Sequence, residues 1–67
     1  MHYLASWDVA PELQEEVQSA LSCVLFVSDV TFEGGRLTCA YEADSEEQAQ
    51  QRKRIIIHEL RYAGADV

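Results

Sequence analysis

The chain is short of most features that mark a specialised protein class. It has one proline and three glycines in 67 residues, which excludes collagen-like and proline-rich low-complexity architectures. Its two cysteines, Cys23 and Cys39, stand far apart and form no CxxC motif. A disulfide-stapled domain of this length would carry more, so reduced thiols and a cytoplasmic setting are expected. Both are most simply small buried apolar residues. The longest unbroken apolar run, Val24 to Val27, is far too short to span a membrane. The start, Met1-His2-Tyr3-Leu4, lacks the charged region and long apolar run of a secretory leader. Positive charge is scarce: 5 Lys and Arg face 12 Asp and Glu, a net charge of −7. Such a chain repels nucleic-acid phosphate, so no DNA or RNA binding is expected. It suits a partner with a basic surface.

What is present is ordinary for a globule. The chain is 48% hydrophobic and 25% charged, too apolar for wholesale disorder. It has room for a single domain over residues 1–67. A core this small rarely contributes more than about 3–5 kcal/mol, so a staple or a partner is expected. The charge is uneven. Residues 1–51 hold one base, Arg36, against ten acids, whereas residues 52–67 hold Arg52, Lys53, Arg54 and Arg61 against Glu59 and Asp66.

The pattern predicts strand, helix, strand, strand, helix. Tyr3 to Asp8 alternates Tyr3, Ala5 and Trp7 on one face with Leu4 and Ser6 on the other. Asp8 is placed to cap the next helix, and Pro11 fits its first turn. Leu13, Val17, Ala20, Leu21 and Val24 recur at helical spacing, predicting a helix over Pro11 to Ser22. Glu33-Gly34-Gly35-Arg36 reads as a two-residue hairpin turn within 26–43. An uninterrupted register then sets Phe32 against Leu37, Val30 against Cys39 and Ser28 against Tyr41 on one face. Glu33 with Arg36, Thr31 with Thr38 and Asp29 with Ala40 lie on the other, with an ion pair beside the turn. Ser45 and Gln48 form a capping box for a second helix over Glu46 to Ala63, closed by Gly64. Its core stripe is Ala49, Ile56, Leu60 and Ala63. Successive helical residues diverge by about 100°, so Ile55, Ile56 and Ile57 cannot all enter one shallow core. Either the core wraps wide or one of them lies on a contact surface.

The order βαββα is that of an α+β, ferredoxin-like two-layer sandwich, with two helices on one face of a three-stranded antiparallel sheet. Ala65, Asp66 and Val67 leave the fourth strand missing or a stub. Strand 1 then becomes an edge without lysine or proline to protect it. A homodimer or an obligate partner complex is expected, built through strand 1 or helix 2. The interface candidates are Tyr3, Ala5 and Trp7 on the strand, Glu12 and Glu16 on the acidic first helix, and Arg54, Ile55 and Ile57 on the second.

Stretches 17–21, 27–32, 35–42 and 59–67 resemble the heavy-metal-associated domains of copper chaperones and metal-pumping ATPases. The resemblance implies the ferredoxin-like fold. That family's metal loop reads Met-x-Cys-x-x-Cys, and its positions fall here on Asp8, Ala10 and Leu13. Both cysteines are absent, so no family ligand carries over. The start, Tyr3 to Asp8, is also similar to the first strand of dimeric α/β-barrel proteins, which implies pairing of subunits.

Chemistry is thin. His2, Cys23, Cys39 and His58 are the candidate soft or imidazole metal ligands, and no cofactor is expected. Nothing sets His58 beside Cys39 for nucleophilic catalysis. Glu15-Glu16 and Glu46-Glu47 suit helix N-termini better than an acid/base pair. Gly34-Gly35 opens no helix and is no phosphate loop. No enzyme is expected. The reading is a small acidic protein-interaction or regulatory module, acting through homodimerisation or docking on a basic protein. Its rivals are a degenerate metal-binding domain and an acidic nucleic-acid mimic of phage type that blocks a basic host protein.

Overall fold

The computed structural model describes all 67 residues. In chain order it contains β1 (His2–Asp8), a 3₁₀ turn (Pro11–Leu13), α1 (Gln14–Ser22), β2 (Val27–Glu33), β3 (Arg36–Glu42) and α2 (Glu46–Tyr62). The strands form one antiparallel sheet in the order β1-β3-β2. This is the ferredoxin-like βαββα arrangement, with the strand position outside β1 open. Residues 65–67 form no strand.

Alternation along each strand builds the core in three rows. Trp7, Leu37 and Phe32 make one row, and Tyr3, Tyr41 and Val27 another. Between them, Cys39 stands beside Ala5. All of these belong to the core or pack against it. Tyr3 and Tyr41 stack with ring centroids 5.6 Å apart, an arrangement aromatic pairs favour. The helices add Val17 and Leu21 from α1, and Ala49, Ile56 and Leu60 from α2.

The hairpin closes at Gly34-Gly35, as the sequence predicts. Both glycines have positive φ, 59° and 79°, which a primed turn between twisted strands requires. The register differs from the expected one further out. Thr31 still pairs with Thr38, but Ser28 pairs with Ala40 and Val27 with Tyr41. The displacement is a bulge at Asp29, whose φ is 52°. An unbroken ladder would have turned Ser28 into the core and Val27 to solvent. One extra residue restores the apolar face.

Three further expectations shift. Asp8 caps no helix. It ends β1, and neither the 3₁₀ turn nor α1 has a side-chain cap. The first helix therefore opens as a 3₁₀ turn at Pro11 and becomes α-helical only at Gln14. Arg36 pairs with Glu33 along the backbone, yet its guanidinium donates to Asp8 Oδ1 at 3.2 Å on the opposite strand. The second helix begins as expected. The Ser45 hydroxyl accepts from the Gln48 N–H at 3.1 Å, while the Gln48 amide oxygen accepts from the Asp44 N–H at 2.7 Å. A seventeen-residue α2 runs about 26 Å. Seven-residue strands run about 23 Å, so α2 outruns them by less than one turn.

Candidate functional site

The sheet has two edges, and they are built differently. Edge strands expose unpaired backbone groups that invite another strand, and bulges and charge are the usual protection. β2 has both: the Asp29 bulge interrupts its ladder, and exposed Asp29 and Glu33 lie along it. β1 has neither a bulge nor a proline, and it pairs with β3 without a break from His2–Glu42 to Asp8–Arg36.

The hydrogen-bond phase of β1 fixes which groups are free. At one end the Val9 N–H donates to the Gly35 carbonyl at 2.8 Å; at the other the Ala43 N–H donates to the Met1 carbonyl at 3.1 Å. Antiparallel bonding alternates along a strand. Tyr3, Ala5 and Trp7 therefore bond toward β3. His2, Leu4, Ser6 and Asp8 turn their N–H and C=O groups outward.

The same four residues put their side chains on the sheet face away from the helices. There Leu4 is 78% exposed beside buried Ala40. The Ser6 and Thr38 hydroxyls lie 3.1 Å apart. His2 Nε2 sits 3.8 Å from Glu42 and Asp8 pairs with Arg36. β1 thus carries an imidazole at one end and a carboxylate at the other.

Above the sheet, α2 is the helix nearer the open edge. α1 packs on β2 and on α2, while α2 packs on β3. The flank of α2 turned away from α1 therefore overlies the β1 side. Glu59, Tyr62 and Ala63 lie on the α1 flank, where they line a groove with α1. Ile56 is fully buried. Steps of about 100° then turn Ile55 toward α1 and Ile57 toward the β1 edge. Ile55 is 45% exposed and Ile57 is half-buried.

The expected interface residues therefore divide. Tyr3 and Trp7 are half-buried and Ala5 is buried, all on the helical face of β1, with Ile57 on the neighbouring flank of α2. Glu16 lines the groove between the helices, and Glu12 is exposed on the 3₁₀ turn. Arg54 is exposed on α2, about 160° around the helix from Ile56 and so at its solvent pole. Leu4 joins them from the opposite face, which its alternation with Tyr3 and Ala5 signals in the sequence.

The groove between α1 and α2 is open and shallow, with a volume of about 720 Å³. Glu15, Glu16 and Glu59 line it together with exposed Cys23 and Tyr62, and no base does. Nearer the start of α2, on the same flank, Arg52 covers the Phe26 ring at 4.8 Å and donates to the Glu42 carbonyl. That basic residue is occupied within the fold.

The candidate ligands do not converge. His2 and His58 are exposed on β1 and α2, Cys23 is exposed at the end of α1, and Cys39 is buried in β3. No three His, Cys, Asp or Glu side chains are grouped to hold a metal ion. Burial pushes the Cys39 thiol above its ordinary range. Burial likewise raises the Tyr41 phenol, with smaller contributions from Cys39 and Tyr3. Both groups are held neutral at pH 7, which suits packing rather than nucleophilic work. No helix is long and apolar enough to cross a membrane. Comparisons with protein-family models, curated proteins and solved structures find no match for this chain.

Proposed function

We propose that this protein is a small acidic, non-catalytic interaction module that works by homodimerisation through β1. The observation that carries this reading is the contrast between the two sheet edges. One is interrupted by a bulge with a carboxylate in mid-strand; the other is regular, carries charge only at its ends, and is free to receive a strand. A strand from a second copy would satisfy the outward groups of His2, Leu4, Ser6 and Asp8. It would also remove Leu4 from water, and burying such a side chain is worth about 1.5–3 kcal/mol. A domain of this size has little stability to spare, so folding and association would support one another.

The test is size-exclusion chromatography with light scattering from micromolar to millimolar concentration. A dimer at twice the 7.6 kDa chain mass is expected. Leu4→Pro removes an outward N–H that makes no bond within the sheet, and proline is tolerated at such edge positions. This variant should keep its circular dichroism and become monomeric. Leu4→Lys, which adds only charge at the edge, serves as the second variant. A wild-type protein that stays monomeric throughout, or a dimer indifferent to both substitutions, overturns the reading.

A further inference from the structure

We infer that the second copy pairs antiparallel along β1 in the register centred on Ala5, which sets His2 of each copy opposite Asp8 of the other. The inference rests on the homodimer reading above and fixes its geometry. Two copies joined at one edge by a two-fold axis form a closed pair in which the same residues meet from both sides. In an antiparallel ladder, outward-facing residues must exchange bonds with outward-facing residues. The outward set of β1 is His2, Leu4, Ser6 and Asp8, so only registers that match even positions with even positions are permitted.

Three such registers are close to centred. With the axis at Leu4, Leu4 faces itself and Asp8 overhangs the partner strand. With the axis at Ser6, Ser6 faces itself, Asp8 faces Leu4, and His2 overhangs. With the axis at Ala5, all seven residues from His2 to Asp8 are paired on both strands. Leu4 then faces Ser6, and His2 faces Asp8 at each end.

Charge favours the same choice. Asp8 already accepts from Arg36 on its inner side, and His2 already lies beside Glu42. The Ala5 register extends each pair across the seam. A row of Arg36, Asp8, His2 and Glu42 results, two residues from each copy, in which a protonated imidazole, a donor at both ring nitrogens, lies between two carboxylates. Opposed complementary side chains stabilise cross-strand pairs, and like charges directly opposite destabilise them. The other two registers leave a carboxylate opposite leucine or beyond the ladder.

The axis is perpendicular to the sheet, so both helical layers lie on one face of a continuous six-stranded sheet. The flanks of α2 that carry Ile57 then approach each other across the seam. That gives the half-buried isoleucine a second apolar surface to meet.

Cysteine cross-linking reads the register directly. Residues paired by hydrogen bonds lie about 5.5 Å apart at Cα, within disulfide range, whereas a two-residue offset puts them beyond it. Leu4→Cys and Ser6→Cys are each made in a Cys23→Ser background, which removes the exposed native thiol. Under mild oxidation, each variant alone should remain uncross-linked, and an equimolar mixture should yield the disulfide-linked dimer. Cross-linking of Leu4→Cys alone would place the axis at Leu4, and of Ser6→Cys alone at Ser6; either overturns this register while homodimerisation stands. No link in the mixture, with a wild-type dimer that Leu4→Pro dissociates, also overturns it. A monomeric wild-type protein instead removes the reading on which it rests.

Discussion

Val27 stands opposite Tyr41 across the β2–β3 ladder, and it does so only because Asp29 is an extra residue in β2. The bulge has two consequences. It returns Val27 to the apolar face, and it breaks the regularity of an edge that would otherwise be as open as β1. Asp29 holds a left-handed conformation, which non-glycine residues adopt at a cost and which aspartate tolerates better than most. Asp29→Gly is expected to be neutral or slightly stabilising. Asp29→Val, with a β-branched side chain at positive φ, should cost about 1–3 kcal/mol in urea unfolding. Equal effects for the two substitutions would argue against the assigned backbone.

Deleting Asp29 separates the two consequences. Without it, Val27, Ser28, Val30 and Thr31 alternate correctly in a regular strand, so the fold should survive. The β2 edge would lose its protection. With both edges open, pairing can continue from copy to copy, and non-closing contacts generate open assemblies. Light scattering should show species larger than a dimer that grow with concentration. A deletion variant whose mass matches that of the wild type would show that the bulge serves only the core.

The three isoleucines of α2 should behave very differently. Ile56 is fully buried, Ile55 is 45% exposed, and Ile57 lies between them. Ile56→Ala removes a packed side chain and should cost about 2–5 kcal/mol. That is comparable to all the stability a core of this size supplies, so the variant should be largely unfolded by circular dichroism. Ile55→Ala should change stability by no more than about 0.5 kcal/mol. Ile57→Asp should leave the monomer folded and weaken association by light scattering. An unchanged dimer with Ile57→Asp would remove α2 from the seam.

Those three residues also show how far the sequence could be read. Periodicity identified Ile56 as core and established that its neighbours could not both join it. It could not say which flank faced a neighbouring helix and which faced an open sheet edge, because that depends on how α2 sits between α1 and β1. The hairpin shows the same limit. Two glycines and alternating polarity located the turn and the register next to it. The bulge was hidden because Val27-Ser28-Asp29-Val30 fits an unbroken strand with a single polar residue turned inward. The one local hint, aspartate's tolerance of a left-handed backbone, fits a turn or a strand end equally well. Arg36 was matched with Glu33 across the turn, but a central strand offers partners on both sides, and β1 supplied Asp8. The edge position of β1 was legible from the βαββα order, and its openness from the lack of lysine and proline in β1. The part of Leu4, which lies on it, is not legible in the sequence because it faces neither helix nor core.

The start of α2 gives a local test of helix capping. The Ser45 hydroxyl holds the Gln48 N–H, and the Gln48 side chain returns to the Asp44 N–H. Ser45→Ala should cost about 0.5–2 kcal/mol. Ser45→Asp, which keeps an acceptor and adds negative charge at the positive end of the helix dipole, should restore most of the loss. Equal destabilisation by both would mean that the hydroxyl bond contributes nothing in solution.

Alkaline pH tests the interior of the sheet. Cys39 and Tyr41 lie on β3 beneath the helices, and burial raises the proton affinity of both. In an unfolded chain a thiol titrates near about 8.5 and a phenol near about 10. Because the folded values are higher, the native protein keeps protons that the unfolded chain releases. The linkage slope is therefore negative: stability falls as pH rises wherever the unfolded state binds fewer protons. Between neutral pH and the ordinary thiol range, both groups are protonated in both states and contribute no slope. Above it, the urea midpoint should begin to fall, and fall faster as the phenol range is reached, until the folded groups themselves ionise. Cys39→Ala should lower stability at neutral pH through lost packing, yet delay the alkaline decline until the phenol range. A wild-type midpoint that stays level from about pH 7 to about pH 10 would mean that neither group is held neutral by its surroundings.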